Sequence, residues 1–214
     1  MSSTGRGPRL GGADDFFVTP SWCVRRLLES WSPPGGMWLE PGAGNGAIIR
    51  AVNEVRDDVR WTAVECRPEE EAALEAACAR VLIGDFLSPN MHSSVDDDIR
   101  VVLGNPPFKD AQEFIDRARQ LCQRAEIMLL LRLNYVGSED RAEFMRRCPP
   151  DLRTLPNRPS FTASGKTDSI EYAWFGWPPG QRDLGTFRVL ASTSLDERKG
   201  RGVYLPERQG SLLP

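Results

Sequence analysis

Hydrophobic and polar positions follow two periods along this chain. In FFVTPSWCVRRLLESW, Trp22, Val24, Leu27, Leu28 and Trp31 recur at helical spacing behind a Thr19-Pro20 turn, and SPPGG ends that helix. Short apolar runs and amphipathic stretches then take turns. MWLE reads as a strand, AIIRAVNEV as a helix, RWTAVE as a strand, PEEEAALEAACA as a helix and RVLIG as a strand. IRVVLG is a further strand, DAQEFIDRARQLCQ a helix, AEIMLLLRL a long apolar strand and SEDRAEFMRRC a helix. After DLRTLP and the polar loop NRPSFTASGKTDS comes an aromatic strand, IEYAWFGW, closed by WPPGQ, and TFRVLA is one more short strand candidate. This rhythm predicts a mostly parallel sheet covered by helices on both faces, a doubly wound α/β fold. Residues 1–13 read as a flexible tail, 14–180 as one domain and 181–214 as an extension without assigned structure.

Composition narrows the chemistry. A 214-residue chain with 40% hydrophobic and 27% charged residues suits one globular domain. It has neither a run of about 18 apolar residues nor the apolar centre of a signal peptide, so it is expected in the cytosol and off the membrane. The five cysteines are scattered and odd in number, and the only histidine, His92, sits in the polar stretch MHSSVDDD. A disulfide framework, a zinc site and a histidine triad are therefore not expected.

Net charge is −3, but it is unevenly placed. Acids dominate from Glu54 to Asp98, whereas Arg132, Arg141, Arg146, Arg147, Arg153, Arg158 and Lys166 outnumber the acids of their segment. A polyanion would be repelled by the first segment and held by the second, although solvated helix faces would give the same pattern.

Strand MWLE runs into Glu40-Pro41-Gly42-Ala43-Gly44-Asn45-Gly46 and directly on into a helix. Glycines at this spacing let the backbone turn tightly beside a ligand at a helix N-terminus. Glu65 ends the second strand, where a carboxylate accepts ribose hydroxyls, and Gly84-Asp85-Phe86 ends the third with an acid and an aromatic suited to an adenine amino group and face. Taken singly, Asp85 is as well read as a turn cap and Phe86 as a core ring. Three successive strand ends of this kind point to an adenosine-containing cofactor, since ligands of open α/β sheets bind at those carboxyl ends. The fourth strand ends in Asn105-Pro106-Pro107-Phe108. The two prolines lack N–H groups and stiffen the loop, so the Asn105 side-chain oxygen and the Pro106 carbonyl become two fixed acceptors suited to one NH₂.

The order FFVTP, EPGAGNG, VEC, GDF, NPPF resembles that of class I S-adenosylmethionine-dependent N6-adenine methyltransferases, over roughly Phe16 to Trp177. LLLRLNYVGSEDRAEF followed by RPSFTASGKTDSIEYAWF is similar, more narrowly, to the small adenine methyltransferases of bacteriophages and prophages. The resemblance implies a single Rossmann-like domain with a seven-stranded sheet, S-adenosylmethionine as cofactor and a nucleic acid as partner, DNA before RNA. It puts Phe17, Thr19, Pro20 and the loop Glu40, Pro41, Gly42, Gly44, Gly46 around the methionine part of the cofactor, Glu65 with Cys66 at the ribose, and Asp85 with Phe86 at the adenine. Asn105 and Pro106, with Pro107, would bind the target amine, Phe108 would stack on the target base and Phe161 would pack on its other side. Arg158 and Lys166 read as phosphate contacts. Little chain follows Trp177, so low sequence specificity is expected. The same NPPF-type loop also fits methylation of a glutamine amide in a protein, and RNA offers the same amine chemistry as DNA.

Overall fold

The computed structural model describes residues 18–95, 98–161, 170–180 and 185–200. Helix α1 (Ser21–Ser30) leads into β1 (Gly36–Pro41), α2 (Ala47–Asn53), β2 (Val59–Glu65), α3 (Glu71–Glu75) and β3 (Arg80–Ile83). Then come β4 (Val101–Gly104), α4 (Ala111–Leu121), β5 (Glu126–Arg132), α5 (Ala142–Arg147), β6 (Asp151–Thr154), β7 (Tyr172–Trp177), β8 (Phe187–Val189) and α6 (Leu195–Arg198).

The strands form one sheet in the order β3-β2-β1-β4-β5-β7-β6-β8. β7 runs antiparallel to both neighbours, and the other pairings are parallel. The sheet is thus mostly parallel, with eight strands in place of the expected seven. β6 escapes the hydrophobic pattern because Asp151, Arg153 and Thr154 are polar yet buried. Asp151 Oδ1 accepts the backbone N–H and the hydroxyl of Thr186, each at 2.8 Å, which ties β8 to this edge. The stretch 185–200 also packs back on the domain: Arg26 Nε donates to Thr193 Oγ1 at 3.0 Å, and its Nη2 to Glu197 at 2.6 Å.

Successive side chains of a strand point to opposite faces, and here both faces are buried. Trp38, Ala63, Val101, Leu103, Met128, Leu130 and Trp174 pack under α1 and α2. Their sequence neighbours Leu39, Val64, Val102, Leu129, Leu131 and Phe175 pack under α4. The indole N–H groups of Trp31, Trp38, Trp61, Trp174 and Trp177 all find acceptors, as buried tryptophans require. The helix expected over PEEEAALEAACA shrinks to a 3-10 turn at Pro68–Glu70 and the five residues of α3. Only Leu74 is buried there, and Glu71 and Glu75 stand one turn apart with like charge.

The strand order sets the site. From β1 the chain winds outward through β2 to β3, then crosses back to β4 on the other side of β1. The connections leaving β1 and β4 therefore diverge and open a crevice at the carboxyl ends of the strands.

Candidate functional site

A cavity of about 440 Å³ fills that crevice, in the size range of pockets that enclose small ligands. Its lining includes Thr19, Glu40, Gly42, Gly44, Glu65, Cys66, Asp85, Phe86, Asn105, Pro106 and Pro107. The structure thus brings together residues from four strand ends and the start of α1. Asn45, inside the expected loop, lines it too, and sequence reasoning missed Arg67 and Phe114, which also line it.

The glycine loop has a conformational reason. Gly42, Gly44 and Gly46 all have positive φ, at 67°, 56° and 77°. A Cβ on Gly46 would also stand 3.1 Å from the buried Leu74. Gly46→Ala is expected to destabilise the protein by about 1–2 kcal/mol, the left-handed penalty for an L-residue, seen as a lower thermal midpoint. An unchanged midpoint would show that the loop relaxes freely.

Glu65 joins two parts of the cavity wall and is only 3% exposed. Its Oε2 accepts the Gly44 N–H at 2.6 Å, and its Oε1 accepts the N–H and Nε of Arg67 at 3.0 and 2.9 Å. Desolvation raises its pKa, but the bonds from Arg67 and the Gly44 N–H outweigh this and hold the carboxyl below its usual range. Two carboxylate oxygens offer about four acceptor positions, so Oε2 still has room for one donor. The Cys66 thiol lies 3.5 Å from Glu65 Oε1. Cys66 is exposed, and partial desolvation and then the Glu65 charge push its pKa up.

Glu40 behaves oppositely. Its side chain is buried and its Oε2 has no hydrogen-bond partner. Burial pushes its pKa well above the carboxylate range; the Ile49 N–H offsets part of this, and the Glu65 charge adds to it. A carboxyl with a raised folded pKa favours the fold while protonated and destabilises it as pH rises past the unfolded value of about 4.3. Glu40→Gln should therefore raise the thermal midpoint relative to wild type near pH 8, with the gain shrinking toward pH 4. A difference independent of pH would contradict the buried, proton-holding carboxyl.

At the end of β4, Asn105 Nδ2 donates to the buried Thr19 Oγ1 at 3.0 Å. This bond fixes the amide, and Asn105 Oδ1 is buried without a partner. The two loops lie against each other at Gly104, where a Cβ would stand 3.4 Å from Pro41, at van der Waals contact. Phe86 is buried against Phe114, with ring centroids 5.3 Å apart, so it is both a core ring and a cavity wall. Asp85 caps its own turn, accepting the Leu87 N–H at 2.9 Å, while lining the cavity. Pro20, Pro41 and Gly46 shape the adjoining turns without lining the cavity; Pro20 caps α1 and Gly46 caps α2.

The expected base-binding residues lie beside the cavity. Phe108 packs at 5.5 Å from Tyr172 and 6.2 Å from Phe161, at interplanar angles of 48° and 64°. Phe161 is itself buried, edge-on to Tyr172 at 5.0 Å. In this conformation the two phenylalanines touch at an angle and leave no parallel slot, because Phe161 belongs to the core beneath β7. The Arg158 guanidinium is ion-paired with Glu171, Nε to Oε1 at 3.0 Å. Phe17 and Lys166 lie outside the described residues. Among the described residues no cluster of side chains could hold a metal ion, and no helix is long and apolar enough to cross a membrane.

No family model matches the chain. Two curated relatives match about half of it. Ribosomal RNA small subunit methyltransferase C of Enterobacter sp. (strain 638) is 29% identical over 103 residues, 47% of this chain and 30% of that protein. Its namesake in Klebsiella pneumoniae subsp. pneumoniae is 30% identical over 102 residues, 46% of this chain and 30% of that protein. The chain thus spans under a third of the length of these relatives. Among solved structures, a Listeria monocytogenes protein assigned as a class I S-adenosylmethionine-dependent methyltransferase superposes with a TM-score of 0.61 at 15% identity, covering 89% of this chain and 71% of that one. An assigned O-methyltransferase of Agrobacterium tumefaciens gives 0.59 at 20% identity, covering 84% and 97%. The 23S rRNA methyltransferase ErmE gives 0.56 at 15% identity, covering 78% and 72%. At these identities the likeness establishes the fold, that of class I methyltransferases.

Proposed function

We propose that this protein is an S-adenosylmethionine-dependent methyltransferase acting on the N6 amine of adenine in a nucleic acid, DNA in the first instance, with little sequence specificity. The observation that carries the reading is Asn105: its amide is fixed by Thr19, and its buried Oδ1 lacks a hydrogen-bond donor beside the cavity. Leaving such an acceptor unpaired costs about 1–3 kcal/mol, and an incoming NH₂ relieves it.

The cavity suits the cofactor. It is large enough, and it contains the unpartnered Glu40 Oε2 and Asn45 Oδ1 beside the glycine loop, where the methionine portion would be held. Glu65 would take a ribose hydroxyl, and Asp85 with Phe86 the adenine. When bound, S-adenosylmethionine supplies a methyl group on a positively charged sulfur, so the reaction forms an N–C bond as the S–C bond breaks.

The protein's task is then to hold the amine. Its nitrogen is a weak nucleophile while its lone pair is shared with the ring. Acceptors at Asn105 Oδ1 and the Pro106 carbonyl favour the tetrahedral, positively charged nitrogen that forms during attack. The proton leaves afterwards, so no base with a shifted pKa is required. A duplex adenine must first leave the stack, at about a few kcal/mol.

RNA is the second reading, favoured by the two relatives, both ribosomal RNA methyltransferases by name. Incubation with tritiated S-adenosylmethionine and separate pools of single-stranded DNA, duplex DNA, RNA and protein tests the choice. Label entering DNA supports the first reading and label entering RNA alone the second. Label entering only protein refutes both.

A further inference from the structure

Resting on that reading, we propose that Arg132 is an additional substrate-recognition residue, which contacts the phosphodiester beside the target adenine. Arg132 is the last residue of β5. On one side β5 pairs with β4, which leads into the Asn105 loop; on the other, Arg132 stands opposite Tyr172 of β7. Its guanidinium lies over the ring of Phe108, 4.6 Å from the centroid, the stacking that this planar cation favours. Tyr172 and Phe161 meet the same ring at steep angles, so the guanidinium occupies the place where a base would stack.

Two features show that this seat does not satisfy the side chain. Arg132 Nε is buried without a hydrogen-bond acceptor, and none of the described ion pairs involves Arg132. Arg158 differs, since Glu171 already neutralises it. A phosphate supplies the missing acceptors in a geometry that matches the guanidinium fork. The stack on Phe108 is then a resting position: an arriving base takes the ring face, and the guanidinium turns to the strand that carries the base.

Arg132→Met, which keeps the stem and removes the charge, tests this in the full chain. Binding of a single-stranded oligonucleotide is followed by fluorescence anisotropy at several salt concentrations, and S-adenosylmethionine binding by calorimetry. Losing one phosphate contact should weaken oligonucleotide binding about tenfold or more at low salt and reduce the slope of log affinity against log salt by about one, with cofactor affinity within about twofold of wild type. Arg132→Lys should keep the wild-type slope. Arg132→Gln gives the same reading as the methionine variant if the latter does not fold. Wild-type affinity and slope in a variant that binds the cofactor would overturn the proposal, as would loss of cofactor binding in both neutral variants, which would assign Arg132 to the fold. Wild-type protein that binds the cofactor but neither DNA nor RNA oligonucleotides would instead refute the nucleic-acid reading, and this proposal with it.

Discussion

Asn105→Ala is expected to slow methyl transfer by about 100- to 1,000-fold, the usual loss when one preorganised polar group facing the transition state is removed. Cofactor affinity should stay close to wild type, because the substitution removes the proposed amine acceptor and leaves the glycine loop and Glu65 in place. The structure sharpens this expectation. Thr19 Oγ1 holds the amide by its nitrogen, so the oxygen is the end left without a partner. Asn105→Asp separates the two ends: it keeps an acceptor oxygen but loses the N–H that reaches Thr19. If Asn105 only braced the loop against α1, the alanine variant would melt earlier yet transfer methyl groups within a few-fold of wild type, as steady-state rates with saturating cofactor would show.

Glu65→Ala should weaken S-adenosylmethionine binding by about 10- to 100-fold, the equivalent of one hydrogen bond to a charged group. From sequence alone, a strand-end carboxylate in a crevice contributes little to folding. The geometry adds a second consequence. Glu65 also holds the Gly44 N–H and Arg67, so its loss strips acceptors from the loop and lowers the thermal midpoint as well. Glu65→Gln, which keeps the shape and one acceptor, should recover part of the stability and less of the affinity. The depressed pKa gives a pH signature. Glu65 contributes stability above the ordinary carboxylate range, and that contribution is lost as pH falls through its folded value. Calorimetry finding unchanged cofactor affinity in a folded alanine variant would refute the proposed contact between Glu65 and the ribose.

What was legible in the sequence is what local chemistry dictates. Gly42, Gly44 and Gly46 announce a loop that only glycine can trace, and the predicted strand ends place Glu65, Asp85 and Asn105 on one rim before any coordinates exist. The glycine-loop side of the cavity follows almost directly. β6 was not legible, because its polar residues are satisfied by partners far along the chain, such as Asp151 by Thr186. Nor was the reversal of β7, since alternation reports which face a residue occupies and not which way its strand runs. Side chains whose role depends on a distant neighbour were also hidden. Arg158 is captured by Glu171, and Phe114 reaches the cavity from the face of α4. Arg67 carried one signal: it stands two residues past a strand-end carboxylate, within reach of it.

The most direct measurement is the identity of the methylated group. The purified protein is incubated with S-adenosylmethionine carrying a deuterated methyl group and with DNA or RNA, the polymer is digested to nucleosides, and these are separated and weighed by mass spectrometry. The expected product is N6-methyladenine nucleoside carrying the heavy methyl group, formed by wild type and nearly absent with Asn105→Ala. A heavy methyl group on cytosine, on a ring nitrogen or on a ribose oxygen, or none on any nucleoside while the protein binds the cofactor, would contradict the assignment of the Asn105 loop to the N6 amine.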